Sequence, residues 1–213
     1  MDRPSAILLL GPTGSGKTPL GEFLERHGIW GRRCAHFDFG QHLRLIASGQ
    51  IQVPELTAAE LRVIRESLGS GEVLEDEQFP IAAKSLRWFV AARGLAANDL
   101  VILNGLPRHV GQARDLDGIT SILAVVNLKC SAETVYERIR LNSGGDRTDR
   151  CDDSVAQITW KLEQFAQRTL PLIEHYQRSN LPIIPVSVTV RTSAPEIHEH
   201  LQNLRLLMNR QES

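Results

Sequence analysis

A glycine-rich turn near the amino terminus constrains the fold of this chain more than any other feature. It follows the aliphatic run Ala6–Leu10, which has the composition of a buried parallel strand, and it leads into residues 19–25, which have the pattern of a helix start. Its spacing is G-x-x-x-x-G-K-[ST]. The residues of this turn are Gly11, Pro12, Thr13, Gly14, Ser15, Gly16, Lys17 and Thr18.

The order of strand, turn and helix predicts a phosphate-binding loop. Glycines let the backbone curl so that several N–H groups point at one anion, and the following helix adds the positive end of its dipole. Lys17 would place its charge on the outer phosphates, and the Thr18 hydroxyl would ligate Mg²⁺. A chance glycine-rich turn is the alternative, but every fixed position and both flanks agree with the loop. We therefore expect ATP and Mg²⁺ to bind here.

Composition and charge exclude several other classes of protein. The chain has 213 residues, 42% of them hydrophobic and 23% charged, which suits one α/β domain. A formal net charge of −1 gives no general affinity for nucleic acid or membranes. No apolar run is long enough to cross a bilayer, and the first strand begins too early for a signal peptide. The three cysteines lack paired or metal-ligand spacing, so we expect a reduced, cytoplasmic protein. We also expect a monomer.

Strand-like and helix-like segments alternate along the chain, which predicts an α/β fold with a doubly wound, five-stranded parallel sheet. Residues 40–94 contain no strand-like run and are expected to be helical. The charged, glycine-containing segment Leu141–Asp153 predicts an exposed loop. A long helix is expected at about Ser154–Ser179, kinked or divided by Pro171. The expected strands are Ala6–Leu10, Cys34–Phe37, Leu100–Leu103, Ile122–Leu128 and Pro182–Val186.

Several charged residues outside the turn could face the same crevice, because open parallel sheets bind ligands at the carboxyl ends of their strands. Arg44 follows the second strand and Arg108 the third, and a guanidinium fork suits phosphate oxygens. A second group of cations could form a lid over phosphates. This group is Arg138, Arg140, Arg147, Arg150 and Lys161. The alternatives are a solvated surface arginine in each case and an ordinary charged loop, in which nearby aspartates balance the arginines.

Taken together, these motifs resemble those of the adenylate kinase family of nucleoside monophosphate kinases, in its short-lid form. The resemblance covers nearly the whole chain and includes Gly11–Thr18. Phe39–Arg44 resembles the family's (S/T)-G-D-x-L-R segment, and Ser70–Leu74 resembles its (S/K)-G-x-L-V segment. Asn104–Gln112 resembles its D-G-(F/Y)-P-R-x-x-x-Q segment. Arg150–Asp153 resembles the R-x-D-D sequence that ends the lid.

The resemblance implies a P-loop kinase fold and an ATP-dependent phosphotransferase, which moves the terminal phosphoryl group of MgATP to a nucleoside monophosphate. Nucleotides would then be its partners. It implies one domain with a core of residues 1–38 and 95–213. A helical acceptor-binding insertion would occupy about 39–94 and a lid about 141–153.

The resemblance also implies roles for individual residues. The catalytic cations would be Lys17, Arg108, Arg138, Arg150 and Lys161. Arg138 would also contact ATP, together with the turn Gly11–Thr18. The acceptor would be bound by Asp38, Phe39, Gly40, Arg44, Val73, Arg108 and Gln112. Thr18 would ligate Mg²⁺ directly, and Asn104 would contact the metal through a water molecule.

The chain departs from the family pattern at several of these positions. The family has aspartate where this chain has Asn104, and an amide brings no charge to the metal. Lys161 replaces an arginine and loses its bidentate fork. The bulky Phe39 stands where a small residue contacts the acceptor base, and Asp38 stands in place of serine. These two changes leave the identity of the acceptor open.

Two further functions therefore remain as alternatives. A P-loop kinase for a small-molecule hydroxyl needs a general base, and Asp38 lies where kinases resembling shikimate kinase place one. A monophosphate acceptor needs no base, because its phosphate is mostly dianionic at neutral pH. The second alternative is a weakly active or non-catalytic nucleotide sensor, which Asn104 and the thinned set of lid cations suggest.

Overall fold

A five-stranded parallel sheet forms the centre of the protein, whose computed structural model describes residues 3–70, 74–146 and 154–211. The strands lie in the order β2-β3-β1-β4-β5, and every neighbouring pair is parallel. The predicted α/β fold with five strands is confirmed. The strand bounds are β1 Ser5–Leu10, β2 Cys34–Asp38, β3 Leu100–Asn104, β4 Ser121–Lys129 and β5 Ile183–Ser187.

Helices cover both faces of this sheet. The described helices are α1 Lys17–His27, α2 Phe39–Ala47, α3 Ala58–Ser70, α4 Phe79–Ala92, α5 Val110–Leu116, α6 Ala132–Arg140, α7 Val155–Gln164, α8 Pro171–Arg178 and α9 Ala194–Gln211. Successive side chains of a strand point to opposite faces, so Leu8 and Ile7 of β1 belong to two different cores. Because both faces are buried, each central strand is a continuous aliphatic run.

The two cores divide the helices between them. One core joins Leu8 to residues of α2, α4, α5 and α8, and the other joins Ile7 to residues of α1 and α9. Residues 40–70 and 74–94 contain no strand, and most of them lie in α2, α3 and α4, as the sequence predicts. Phe79 and Leu86 of α4 share the first core with Phe37 and Leu103 of the strands, so α4 packs onto the sheet itself.

The expected long helix at about Ser154–Ser179 is divided. Helix α7 ends at Gln164, a π-helical turn follows over Phe165–Thr169, and α8 begins at Pro171. Proline suits the first position of a helix, where its missing N–H would have no partner within the helix. The division at Pro171 thus agrees with the prediction, whereas the π-helical turn before it is not predictable from composition. Among the described residues, no helix is both long and apolar enough to cross a membrane.

Candidate active site

A crevice opens where β1, β2 and β3 end and the connections to their helices begin. Its lining includes the turn after β1, residues 38–40 after β2, Asn104 and Arg108 after β3, and the π-helical turn before α8. Chain segments far apart in sequence meet here because the carboxyl ends of parallel strands share one edge of the sheet. This crevice is the candidate active site.

The glycine-rich turn is built so that its backbone surrounds a small space. Gly11 has a φ of +153°, and a Cβ at this position would lie 2.6 Å from Ser15 Oγ and 2.9 Å from the Leu128 carbonyl oxygen. Gly16 has a φ of +95°, a left-handed conformation that L side chains rarely adopt, and α1 begins at the next residue. The first N–H groups of α1 therefore open towards the turn, which is the arrangement that binds phosphate.

Lys17 lies folded over this turn. Its Nζ donates hydrogen bonds to the carbonyl oxygens of Gly11 at 2.7 Å and Pro12 at 2.8 Å. The ammonium charge is thus held at the mouth of the turn, where the outer phosphates of a nucleotide would lie.

A compact polar cluster, here called the Asp38 cluster, joins the turn to the ends of β2 and β3. It consists of Thr18, His36, Asp38 and Asn104. Thr18 Oγ1 donates to Asp38 Oδ2 at 2.7 Å, and Asn104 Nδ2 donates to the same oxygen at 2.8 Å. Asn104 Nδ2 also lies 3.1 Å from Thr18 Oγ1 and 3.4 Å from His36 Nε2. Asp38 and Asn104 are direct neighbours in the register of β2 and β3.

The second oxygen of Asp38 caps α2. Asp38 Oδ1 accepts a hydrogen bond from the Gln41 backbone N–H at 2.9 Å. Burial by itself would raise the pKa of Asp38, but the hydrogen bonds from Gln41 and Thr18, with the nearby His36 and Arg44, lower it below the usual value. Asp38 is therefore a carboxylate at neutral pH, with both oxygens engaged.

Arg44 and Arg108 both line the crevice, each beside one of the neighbouring residues Gly40 and Gly105. A Cβ on Gly105 would be 3.8 Å from Arg108 Nη2 and 3.9 Å from the Gly40 nitrogen, and a Cβ on Gly40 would be 3.8 Å from Arg44 Nη1. Arg44 Nε donates to Gln41 Oε1 at 3.0 Å, and Arg108 Nε lies 3.3 Å from the Gly105 carbonyl oxygen. Neither guanidinium forms an ion pair with a carboxylate in the described part of the chain.

The pKa of Arg108 depends on the surrounding protein and on its charged neighbours. Arg108 is exposed to solvent in the crevice; the surrounding protein and Arg44 lower its pKa, and Asp38 opposes this shift. Two cations that line one crevice, neither of them in an ion pair with a described carboxylate, favour the binding of an anion there.

Gln112 holds the backbone of Arg108 through its side-chain amide. Its Oε1 accepts from the Arg108 backbone N–H at 2.9 Å, and its Nε2 donates to the Leu74 carbonyl oxygen at 2.7 Å. The side chain is buried with both ends of its amide engaged, although it lines the crevice. Each end of the amide keeps one further hydrogen-bonding site, so its predicted contact with the acceptor base stays a prediction.

Arg138 lies against the glycine-rich turn, with Nη2 3.0 Å from where a Cβ on Gly16 would be. The side chain is buried behind the turn, where Nε donates to the Gly14 carbonyl oxygen at 2.9 Å. Nη1 donates to the carbonyl oxygens of Thr189 at 2.7 Å and Thr192 at 3.0 Å. Burial lowers the pKa of Arg138. Arg138 thus joins the turn to the segment after β5, and its expected contact with ATP and the transferred phosphoryl group stays a prediction.

Arg168 is a crevice residue that the sequence does not single out. It lies on the π-helical turn, and its guanidinium makes a bidentate ion pair with Glu75, with Nη1 at 2.6 Å from Oε1. The neighbouring Thr169 donates to the Arg108 carbonyl oxygen at 2.9 Å, and Lys161 lines the same crevice. The direction of Arg168 depends on the π-helical turn, for which the sequence carries no signal.

Some predicted site residues lie outside the described residues. These are Val73 in the (S/K)-G-x-L-V segment, and Arg147 and Arg150 in the predicted lid. Of that lid, residues 141–146 are described, and Asp146 lines the crevice.

The donor set around Thr18 suits Mg²⁺ held with a nucleotide. Mg²⁺ prefers oxygen ligands and usually binds through one or two protein groups, waters and substrate phosphates. Thr18 offers a hydroxyl, with the Asp38 carboxylate 2.7 Å from it. Within the described residues no group of three or more His, Cys, Asp or Glu side chains could hold a metal by itself. A metal here would therefore depend on the phosphates for most of its ligands.

Comparisons with known proteins show which family the chain resembles. Residues 7–159 match the family model described as "AAA domain". An "Adenylate kinase" of Synechococcus sp. (strain CC9311) is 30% identical over 181 residues, covering 82% of this chain and 86% of that protein. "UMP-CMP kinase 2" of Caenorhabditis elegans is 29% identical over 181 residues, covering 83% of this chain and 85% of that protein.

A solved structure supports the fold alone. A gluconokinase from Sinorhizobium meliloti 1021 aligns over 100% of both chains with a TM-score of 0.52, and the two sequences are 20% identical. This likeness extends the P-loop kinase architecture over the whole chain and says nothing about the substrate.

Proposed function

The chain belongs to the adenylate kinase family of P-loop kinases, and from that membership we propose that it transfers the terminal phosphoryl group of MgATP to a nucleoside monophosphate. Its relatives include proteins named for adenylate and for UMP and CMP, so the family admits more than one base. The donor would lie on the turn Gly11–Thr18. The acceptor would lie between Arg44 and Arg108.

The observation that carries this proposal is that Arg44 and Arg108 line one crevice beside Gly40 and Gly105. Their guanidiniums come from different elements, and each is free of carboxylate partners within the described residues. A dianionic phosphate supplies the charge that the pair lacks; a hydroxy acid would supply only one negative charge, and a neutral sugar would leave both cations unmatched.

Chemistry at such a site depends on positioning and charge rather than on a protein nucleophile. The loop N–H groups and Lys17 would hold the β- and γ-phosphates, while Arg44 and Arg108 would hold the acceptor phosphate in line with them. Bound Mg²⁺ would supply positive charge to the donor phosphates. The acceptor phosphate is itself the nucleophile and carries no proton that a base must remove. We further propose that 39–94 closes on the acceptor and 141–153 on the donor.

A second candidate function follows from the position of Asp38 in the crevice. In a kinase for a small-molecule hydroxyl this carboxylate would be the general base. Oδ2, however, accepts from Thr18 and Asn104, and Oδ1 accepts from Gln41. Three of the roughly four acceptor sites of this carboxylate are therefore already occupied, which leaves little capacity for a substrate hydroxyl, so the geometry favours the monophosphate.

Formation of ADP from MgATP distinguishes these functions. The protein would be incubated with a panel of nucleoside monophosphates and, separately, with sugars and hydroxy acids. We expect ADP only with the first panel, together with the matching diphosphate. ADP with the second panel alone would establish the hydroxyl kinase. Tight nucleotide binding without ADP in either panel would establish a sensor.

A further inference from the structure

Two departures from the family pattern meet in three dimensions. Asn104 stands where the family has aspartate, and Asp38 stands where it has serine. These residues are neighbours in register on β3 and β2, and Asn104 Nδ2 donates to Asp38 Oδ2 at 2.8 Å. The carboxylate that is missing from the end of β3 is thus present at the end of β2, one strand away.

We propose that Asp38 is the carboxylate of the metal site, and that Asn104 is a positioning residue that holds it. This inference rests on the proposed use of MgATP. In P-loop NTPases a strand-end carboxylate helps the hydroxyl of the loop to hold Mg²⁺. Asp38 already contacts that hydroxyl, because Thr18 Oγ1 donates to Oδ2 at 2.7 Å.

The hydrogen bonds around Asp38 favour this role. Thr18 gives its proton to Oδ2, so the hydroxyl oxygen keeps a lone pair for the metal, and the carboxylate adds a negative charge beside it. Gln41 N–H holds Oδ1 at 2.9 Å, which fixes the direction of the carboxylate. A hydrogen-bonded partner of this kind commonly changes metal affinity ten- to a hundredfold.

The same geometry explains why residue 104 is an amide. An aspartate with the same rotamer at 104 would bring a second carboxylate oxygen to within about 3 Å of Asp38 Oδ2, where like charges repel. Asn104 instead donates to Asp38 Oδ2 and to Thr18 Oγ1. Asn104 is therefore the complement of Asp38, and the pair is the family's arrangement with the carboxylate moved by one strand.

Metal affinity tests this proposal without turnover. The affinity of Mn²⁺ for the complex of full-length protein with a non-hydrolysable ATP analogue would be measured by electron paramagnetic resonance. We expect Asp38→Asn to weaken it ten- to a hundredfold, and Asp38→Asn/Asn104→Asp to return it to within a few-fold of the parent. Asp115→Asn is the control, because Asp115 is an exposed carboxylate on α5 outside the crevice lining, and we expect less than a twofold change.

Each other outcome has a definite meaning. Unchanged Mn²⁺ affinity in Asp38→Asn would overturn the proposal, and so would an equal loss in Asp115→Asn, which would indicate a general charge effect. Failure of the double variant to recover, in protein with parent-like circular dichroism, would also overturn it. If the parent protein binds neither the analogue nor Mn²⁺, the proposed function fails instead. Loss of transfer to a hydroxyl compound with unchanged metal affinity would identify Asp38 as a base.

Discussion

Three cationic side chains give the crevice its positive charge, and a small number of contacts positions each of them. Lys17 is held over the turn by two carbonyl oxygens, and Arg44 and Arg108 lie beside Gly40 and Gly105. Bringing two polyanions together is the main obstacle to phosphoryl transfer, and these cations are placed to reduce it. Variants of these residues should therefore separate effects on the donor from effects on the acceptor.

Replacing Lys17 should affect the donor. We expect Lys17→Ala to weaken ATP binding and to reduce transfer to near the limit of detection, because the charge on the outer phosphates is lost. Isothermal titration with ATP and a coupled assay for ADP would measure the two effects. Lys129→Ala, on the exposed end of β4, is the control and should behave as the parent. Parent-like activity in Lys17→Ala would refute the assignment of the turn as the donor site.

Replacing Arg108 should affect the acceptor. A charge-assisted hydrogen bond contributes about 1.5–3 kcal/mol, so we expect Arg108→Ala to lower kcat/KM for the acceptor by about 10- to 150-fold. ATP affinity should stay the same, since Arg108 lies away from the turn. Arg114→Ala is the matched control, because Arg114 is an exposed arginine on α5. A loss of ATP affinity as large as the loss for the acceptor would contradict the assignment.

At the scale of elements, the π-helical turn matters because it determines where Arg168 lies. It links α7 to α8 and holds Arg168 against Glu75, in the segment that joins α3 to α4. The next residue, Asp76, lies 3.2 Å from His109 at the start of α5. The Arg168 hydrogen bonds lower the pKa of Glu75, so this pair is ionised at neutral pH. The connection from the helical insertion is thus fastened to both sides of the crevice.

Breaking this ion pair should change the fit of the acceptor. We expect Arg168→Glu to raise KM for the acceptor a few-fold without changing KM for ATP, and Arg168→Glu/Glu75→Arg to recover most of that loss. The loss of stability should be below about 1 kcal/mol, because Glu75 is half exposed. Steady-state kinetics with each substrate varied in turn would measure these effects.

The chain offers a matched control for this exchange. Arg178 and Glu174 form an ion pair on α8 that is more exposed, and neither residue lines the crevice. Exchanging their charges should leave both KM values unchanged. Arg168 would not act through Glu75 if the Arg178/Glu174 exchange raised the acceptor KM as much as Arg168→Glu does. The same conclusion would follow if the acceptor KM did not recover in Arg168→Glu/Glu75→Arg.

At the scale of the whole molecule, the first core contains a histidine that cannot easily be charged. His42 of α2 is buried against Phe37, Trp88 and Phe89, with ring centroids 5.0, 5.6 and 6.2 Å away. Its Nε2 has no hydrogen-bond partner among the described residues. Burial lowers the pKa of His42 from the ordinary 6.5 to about 4. The aromatic packing that joins α2 and α4 to the sheet therefore requires a neutral ring.

This burial predicts how stability depends on pH. Between pH 6.5 and about 4 the unfolded chain binds a proton at His42 that the folded chain does not, so the free energy of unfolding falls as the pH is lowered through this range. The loss should approach about 3 kcal/mol near pH 4 and be absent above pH 7. Urea unfolding at several pH values would measure it.

The control is a variant that cannot be protonated. His42→Phe keeps a ring in the core and should lose this part of the pH dependence, so that it becomes more stable than the parent near pH 4.5. His200→Phe, at an exposed position on α9, should keep the parent profile. Identical pH profiles for His42→Phe and the parent would show that His42 is not the group responsible.

Much of the fold can be predicted from the sequence because it depends on local patterns. Aliphatic runs separated by helical segments predict five parallel strands, and G-x-x-x-x-G-K-[ST] after the first strand predicts the phosphate-binding turn. These signals are local: a strand buried on both faces must be apolar throughout, and a backbone that curls round an anion needs glycine at fixed positions. The residues of the turn, Arg44 and Arg108 are found from such patterns.

The partners and directions of the charged side chains depend on contacts between distant segments. The meeting of Asp38 with Asn104 follows from the pairing of β2 with β3, so each departure from the family pattern looks like a separate loss until the strands are adjacent. Arg138 carries the charge expected of a phosphate ligand, and only the packing of the chain shows its hydrogen bonds to carbonyl groups of the turn and of the segment after β5. Arg168 reaches Glu75 across 93 residues of sequence through a π-helical turn. Charge and residue type belong to the sequence, whereas the direction and the partners of each charged group are set by how the chain packs.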